Sequence, residues 1–195
     1  LDLESCKSIT ILLHQEKDIY NNLIVDQLNQ LSNRGFIKQW GISIYSSKIA
    51  NKTIEFPECK VIQLPFSILN QSMLQDGTIS KLKKFKKIIL ARSIFTKGLL
   101  FEQNKNNENL VKEVTEIVDY LAKYSSSIKQ SISQIASRFV LSFDEIKNIV
   151  IGFDNTNQIQ DFYLKNFMSL DKKIISDLLR MGKLIPDNVN RPEKW

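Results

Sequence analysis

The sequence predicts an α/β protein built on parallel strands, and three observations carry the prediction. Short apolar runs alternate with stretches whose apolar residues recur at three- and four-residue intervals, the periods of buried strands and amphipathic helices. No two runs are joined by hairpin signals, so successive strands must be connected by helical crossovers. The first run, Ile9 to His14, contains no charged residue, as expected of a strand buried on both faces in a sheet covered by helices. The resulting order is βαβαβαβααβα. Five such units make either an open doubly wound sheet or the last five strands of an eight-stranded barrel, which needs about 250 residues when complete. Periodicity does not choose between them.

After the opening strand, Tyr20, Leu23, Ile24, Leu28 and Leu31 mark an amphipathic helix from about Asp18 to Arg34, with Gly35 as its stop. The second strand is Phe36 to Ser43. A short irregular helix through Lys48 to Ile54 leads to Pro57, and the third strand, Val61 to Leu64, is closed by Pro65. A helix from about Ser72 to Lys84 delivers the fourth strand, Ile88 to Arg92. Ser93 to Leu100 is a loop with a glycine turn, and the asparagine-rich stretch Gln103 to Asn109 is a surface loop. Leu110, Val114, Ile117, Val118 and Leu121 form one helix. Ile128, Ile132, Ile135, Ala136 and Phe139 form another, capped by Ser127. The fifth strand is Asn148 to Gly152. Helices at about Asn155 to Phe167 and Asp171 to Arg180 precede a proline-containing tail that ends in Trp195.

At 195 residues and 43% hydrophobic content the chain can bury a real core, and a single domain over residues 1–195 is expected, with the last helix and tail at about 171–195. No window of about 18 uncharged apolar residues exists, so no membrane span is predicted. The start lacks a signal peptide and an initiator Met, so it reads as the interior of a longer chain. Cys6 and Cys59 lack metal-ligand spacing and read as free thiols in a reducing cytoplasm; no metal site is expected. Net charge is +6, concentrated in the lysines from Lys81 to Lys87. Such a run is commonly a solvated helix end ahead of a buried strand. Without a zinc pattern or an aromatic platform it does not predict nucleic-acid binding, and an anion-binding module is the remotest reading.

His14, the one histidine, stands at the carboxyl end of the first strand. In open α/β sheets and (β/α) barrels, that is the end where substrates and cofactors bind. On its own, such a histidine more often packs and hydrogen-bonds than catalyses.

Ordered strings carry the argument further. Leu12-Leu13-His14, Trp40-Gly41-Ile42-Ser43-Ile44-Tyr45, Ile62 to Leu69, Ala91 to Leu100, Arg138 to Ser142, and Ile149-Val150-Ile151-Gly152 with Gln158 resemble, in order and spacing, the carboxyl-terminal part of an aldo/keto reductase. The stretch from Arg92 to Leu100 resembles the branch associated with bacterial surface-sugar biosynthesis. The resemblance implies a TIM-type parallel (β/α) barrel of which the last five β/α units are present. It also implies hydride transfer between a nicotinamide cofactor, NADP(H) first and NAD(H) second, and a small-molecule carbonyl. Among the family's catalytic Asp, Tyr, Lys and His, His14 matches the histidine that orients the carbonyl beside a developing alkoxide. The other three are expected before Leu1.

By the same resemblance Ser43 and Gln63 hold the nicotinamide carboxamide, and Arg92 lies beneath the nicotinamide. Ser93, Phe95 and Lys97 lie near the pyrophosphate, where backbone N–H groups and a cation suit phosphate. Gly152, Phe153, Gln158 and Asp161 match the segment on the adenosine side. The chain departs from the pattern at Ile44, where Asn is common; at Asp154, whose charge opposes a 2′-phosphate; and at Phe162, in place of Asn near the adenine. The expectation is an oxidoreductase portion of a longer chain. The alternative is a non-catalytic half-barrel that self-associates through exposed strands or binds a protein partner.

Overall fold

The computed structural model describes residues 9–101, 112–163 and 170–190. Cys6, the loop 103–109, the predicted helix start at Leu110, the predicted helix end at Phe167 and the tail to Trp195 lie outside the described residues. Strands β1 (Thr10–Leu13), β2 (Gln39–Ser43), β3 (Cys59–Pro65), β4 (Ile88–Arg92) and β5 (Ile146–Ile149) form one sheet in chain order. β1 pairs with β2, and β2 with β3, in parallel. Sequential order decides between the two predicted architectures. A doubly wound sheet reverses its strand order at a switch point, whereas barrel strands follow one another. The helices are α1 (Asn22–Asn33), α2 (Ser47–Thr53), α3 (Ser72–Gln75), α4 (Thr78–Lys84), α5 (Lys112–Ile128), α6 (Ile132–Leu141), α7 (Thr156–Tyr163), α8 (Lys172–Gly182) and α9 (Asp187–Asn190). The chain divides into two compact units: one runs to Pro65 and resumes over Met73–Leu90, and the other comprises Phe66–Ser72 and the chain from Ala91 onward.

In the first unit the core is built on Trp40, Ile42, Ile62 and Leu64, all wholly buried. Trp40 Nε1 donates to Asn29 Oδ1 at 2.8 Å, which satisfies the one polar atom of the buried indole. The predicted helix from Asp18 is corrected: a 3-10 turn spans Glu16–Tyr20, and Asn21 starts α1 by accepting from the Leu23 and Ile24 N–H groups. This break resets the helical phase. Tyr20 and Leu23 therefore leave the apolar stripe and are 51% and 67% exposed, while Val25 and Leu28 are buried. Gly35 ends the helix as expected, with φ +73° and the Phe36 N–H donating to Leu31 O at 3.0 Å. β1 is half-buried along its length rather than buried on both faces. Among the described residues it stands at the end of the strand order with β2 as its one strand neighbour, and such an edge strand is less enclosed than a central one. The single helix predicted over Ser72 to Lys84 is broken at Gly77, whose φ of +78° no helix accommodates. The solvated reading of the lysine run fails at its last member: Lys87 is 5% exposed.

The second unit packs Phe66 against Phe139 and Phe143, with ring centroids 6.0 and 5.2 Å apart. Val114, Ile117, Val118 and Leu121 are buried as the periodicity predicts. The cap predicted at Ser127 is corrected to Ser131, whose side chain accepts from the Gln134 N–H while Gln134 Oε1 accepts from the Ser131 N–H. This reciprocal pair satisfies two helix-start donors at once. Ser127 instead lies inside α5 and donates to Tyr124 O.

α5 and α8 are tied by Tyr120, whose hydroxyl donates to Asp177 Oδ2 at 3.0 Å. Burial, then the bond to Asp177, push the phenol from 10.0 up to about 12. The bonds from Tyr120 and Arg180 hold the Asp177 carboxyl below its usual range. A phenol raised on folding contributes stability that is complete below its unfolded value and is lost as pH rises through its folded one. Stability is therefore expected to fall between pH 10 and about 12. In Tyr120→Phe that alkaline decline is expected to shrink, which urea denaturation at both ends of the window checks.

Candidate functional site

In the first unit, parallel pairing lines up the strand ends. Leu13 pairs with Ile42, and Ser43 with Gln63. His14 follows Leu13 as Ser43 follows Ile42, so His14, Ser43 and Gln63 form one row across the carboxyl ends of three adjacent strands. Ser43 is 3% exposed, Gln63 is half-buried and His14 is exposed. Ile44 is wholly buried, and its N–H donates to Gln63 O at 2.8 Å. The departure at Ile44 thus puts an apolar side chain into the core and no polar group on the rim.

Glu16 belongs to this rim and was not marked by any sequence pattern. Its Oε1 accepts from the Tyr45 and Ser46 N–H groups, the latter at 3.0 Å. The carboxylate thereby fastens the segment after β2 to the segment after β1. Ser46 also caps α2 by accepting from the Ile49 N–H. A lone glutamate thirty residues from its partners leaves no periodic trace.

In the second unit, two segments distant in the chain enclose a cavity of about 550 Å³. One is the loop after β4, which supplies Ser93, Phe95 and Lys97; the other follows β5 and supplies Gly152, Phe153 and Gln158. These are six of the residues predicted for cofactor binding. The loop is held in an uncommon backbone shape: Ser93, Thr96 and Lys97 have φ of 57°, 47° and 50°, and Gly98 has 84°. Non-glycine residues adopt such values at a cost and concentrate at ligand sites. Thr96 anchors the loop, its Oγ1 lying 2.9 Å from the Ser67 hydroxyl. Aromatic pairs frame the cavity, Phe95 with Phe101 and Phe153 with Phe162, each pair with centroids 5.6 Å apart. A Cβ built on Gly152 would meet nothing within 4 Å, so the space beside it is open.

Arg92 is half-buried at the end of β4, and its Nη1 donates to Ser93 Oγ at 3.3 Å. It supports the loop and is not among the cavity-lining residues. Asp161 lies in α7. Thr96, Phe101 and Ser133 line the cavity without having been singled out in the sequence. Ser133 comes from α6, and only the tertiary fold brings it to the loop after β4. Among the described residues no group of three or more acidic, histidine or cysteine side chains could hold a metal, and no helix is long and apolar enough to cross a membrane.

A family model described as the aldo/keto reductase family matches residues 11–180. Solved structures with the same fold include an aldo-keto reductase of Bacillus halodurans in its holo form, with a TM-score of 0.76 at 15% identity, over 94% of this chain and 65% of that one. An aldo-keto reductase from a Medee basin deep-sea metagenome library gives 0.68 at 18% identity, over 90% and 60%. One from Klebsiella pneumoniae, in complex with NADP and acetate, gives 0.70 at 12% identity, over 89% and 58%. The chain thus spans less than two thirds of the length of these three proteins. No curated protein matches its sequence.

Proposed function

Because this chain belongs to the aldo/keto reductase family, we propose that it is the carboxyl-terminal portion of a cytoplasmic, nicotinamide-dependent oxidoreductase that reduces a small-molecule carbonyl. The observation that supports this most is the cavity of the second unit, where six residues chosen from two distant segments meet. Its volume of about 550 Å³ lies in the range of small-ligand sites. Its phenylalanines offer faces for a base, and Lys97 with the left-handed loop offers a cation and oriented backbone donors for a diphosphate. The residues present therefore fit the adenosine diphosphate side of a nicotinamide dinucleotide.

When bound, that cofactor supplies the hydride. Lys97 would neutralise phosphate charge and hold a diphosphate against the loop, and the rings of Phe95 and Phe153 would line the space beside it. The family resemblance assigns the nicotinamide carboxamide to the Ser43 hydroxyl and the Gln63 amide, which would fix its orientation. The imidazole of His14, one strand over in the same row, donates a hydrogen bond to the substrate carbonyl oxygen and steadies the charge that develops there. The Tyr that protonates the alkoxide in the family, with its Asp and Lys, has no counterpart in this sequence. In this reading, turnover belongs to a longer chain that carries them, whereas binding can be measured on this one.

Titration with NADH and with NADPH, followed by cofactor fluorescence, is expected to give a saturable change. Lys97→Ala should weaken the binding about tenfold, the loss of one charge-assisted hydrogen bond. Absence of a response to both cofactors would overturn the proposal.

A further inference from the structure

The cavity of the second unit is polarised. Lys97 lines it from the loop after β4, and Asp154 lines it from the turn after β5. The turn around Asp154 is internally tied. The Asp154 N–H donates to Gln158 Oε1 at 2.9 Å, the Gln158 N–H donates to Asn155 Oδ1 at 3.1 Å, and Gln158 Nε2 donates to Asp154 Oδ2 at 3.4 Å. Two backbone donors near the start of α7, those of Asp154 and Gln158, are thus already taken by side-chain oxygens, and a carboxylate lines the cavity beside them. Gln158 reaches one oxygen of that carboxylate, and a carboxylate only accepts hydrogen bonds.

From this we infer that the Asp154 turn selects a nucleotide whose ribose 2′-hydroxyl is free and rejects one phosphorylated there. The inference rests on the proposed binding of a dinucleotide and names which one: the unphosphorylated NAD(H). A ribose hydroxyl donates to the Asp154 carboxylate, as acidic residues do for such hydroxyls in other dinucleotide sites. A 2′-phosphate would bring a second anion against that exposed carboxylate, and like charges side by side disfavour each other, most at low ionic strength. Gln158 acts as a positioning residue: by bonding both the N–H and the carboxylate of Asp154, it holds the acid in the cavity wall. Lys97 provides the opposite preference at the other wall and receives the 5′-phosphate common to both nucleotides.

The test is calorimetric titration of the chain with adenosine 5′-monophosphate and with adenosine 2′,5′-bisphosphate, which differ only in the 2′-phosphate. The monophosphate is expected to bind at least tenfold more tightly. Asp154→Asn should narrow that ratio, and Asp154→Arg should reverse it, with thermal melting of each variant confirming that it remains folded. Tighter binding of the bisphosphate by the unaltered chain, or an unchanged ratio in Asp154→Asn, would overturn the inference while leaving dinucleotide binding intact. If neither nucleotide binds, the proposed function falls and this inference falls with it.

Discussion

Replacing Gly41 by alanine is expected to destabilise the first unit by about 4 kcal/mol or more, near the upper end of single-substitution effects. A Cβ on Gly41 would stand 2.0 Å from Val61 O, 2.6 Å from Val61 Cβ and 2.7 Å from Val61 C. Two of those atoms are backbone of the paired strand β3 and the third is the Cβ fixed to it, so none can swing aside. The register also shifts between Trp40 and Gly41, so the two strands approach closely where β2 adjusts to its neighbour. To admit a methyl group, β2 and β3 must separate, and the row of Ser43 and Gln63 at their ends is disturbed with them. Equilibrium denaturation by urea checks this. Near-normal stability of Gly41→Ala would mean that the strands are not held this closely.

Lys87→Met is expected to cost about 3 kcal/mol, because three backbone carbonyls lose their donor together. The Lys87 ammonium donates to Thr53 O at 2.9 Å, Phe56 O at 2.8 Å and Cys59 O at 2.7 Å. It ties the end of α2 and the start of β3 to the start of β4. A buried charge is retained at a site like this only when its hydrogen bonds are satisfied. Burial draws the lysine pKa down and pushes the neighbouring Cys59 thiol up to about 12, so the thiol is a packed, unreactive group. Methionine matches the length and fills the space but cannot donate. Lys84→Met, at an exposed position of the same run, should change stability little. Equal urea midpoints for the two variants would contradict the structural role of Lys87.

These two residues show where a sequence is readable and where it is not. β4 was legible at both ends, because Ile88 to Arg92 stands between a lysine run and a hydroxyl-rich loop. Lys87, the last residue before it, looks like every other lysine in that run. Its three acceptors come from residues about thirty positions earlier, and no local pattern records them. The same limit explains the cap of α6: Ser127 and Ser131 both precede an isoleucine and both have a glutamine three residues on, Gln130 and Gln134, so the local pattern cannot separate them. Gly77 interrupts a stretch whose apolar spacing reads as continuous helix, since a period cannot report a φ of +78°. The residues that meet at the cavity, proposed to bind the cofactor, were legible as ordered strings rather than as chemistry, for Ser93, Lys97 and Gly152 carry no periodic signal. Glu16, Thr96 and Ser133 were invisible because each acts through a contact made only in the folded chain.

The central claim is that the cavity of the second unit receives the cofactor, and Gly152→Trp tests it most directly. A Cβ built there meets nothing within 4 Å and Gly152 lines the cavity, so a bulky side chain at this position is expected to take up volume that a nucleotide would need. The expected result is loss of NADH binding, read by cofactor fluorescence, with an unchanged melting temperature. NADH bound by a folded Gly152→Trp chain with undiminished affinity would contradict the account.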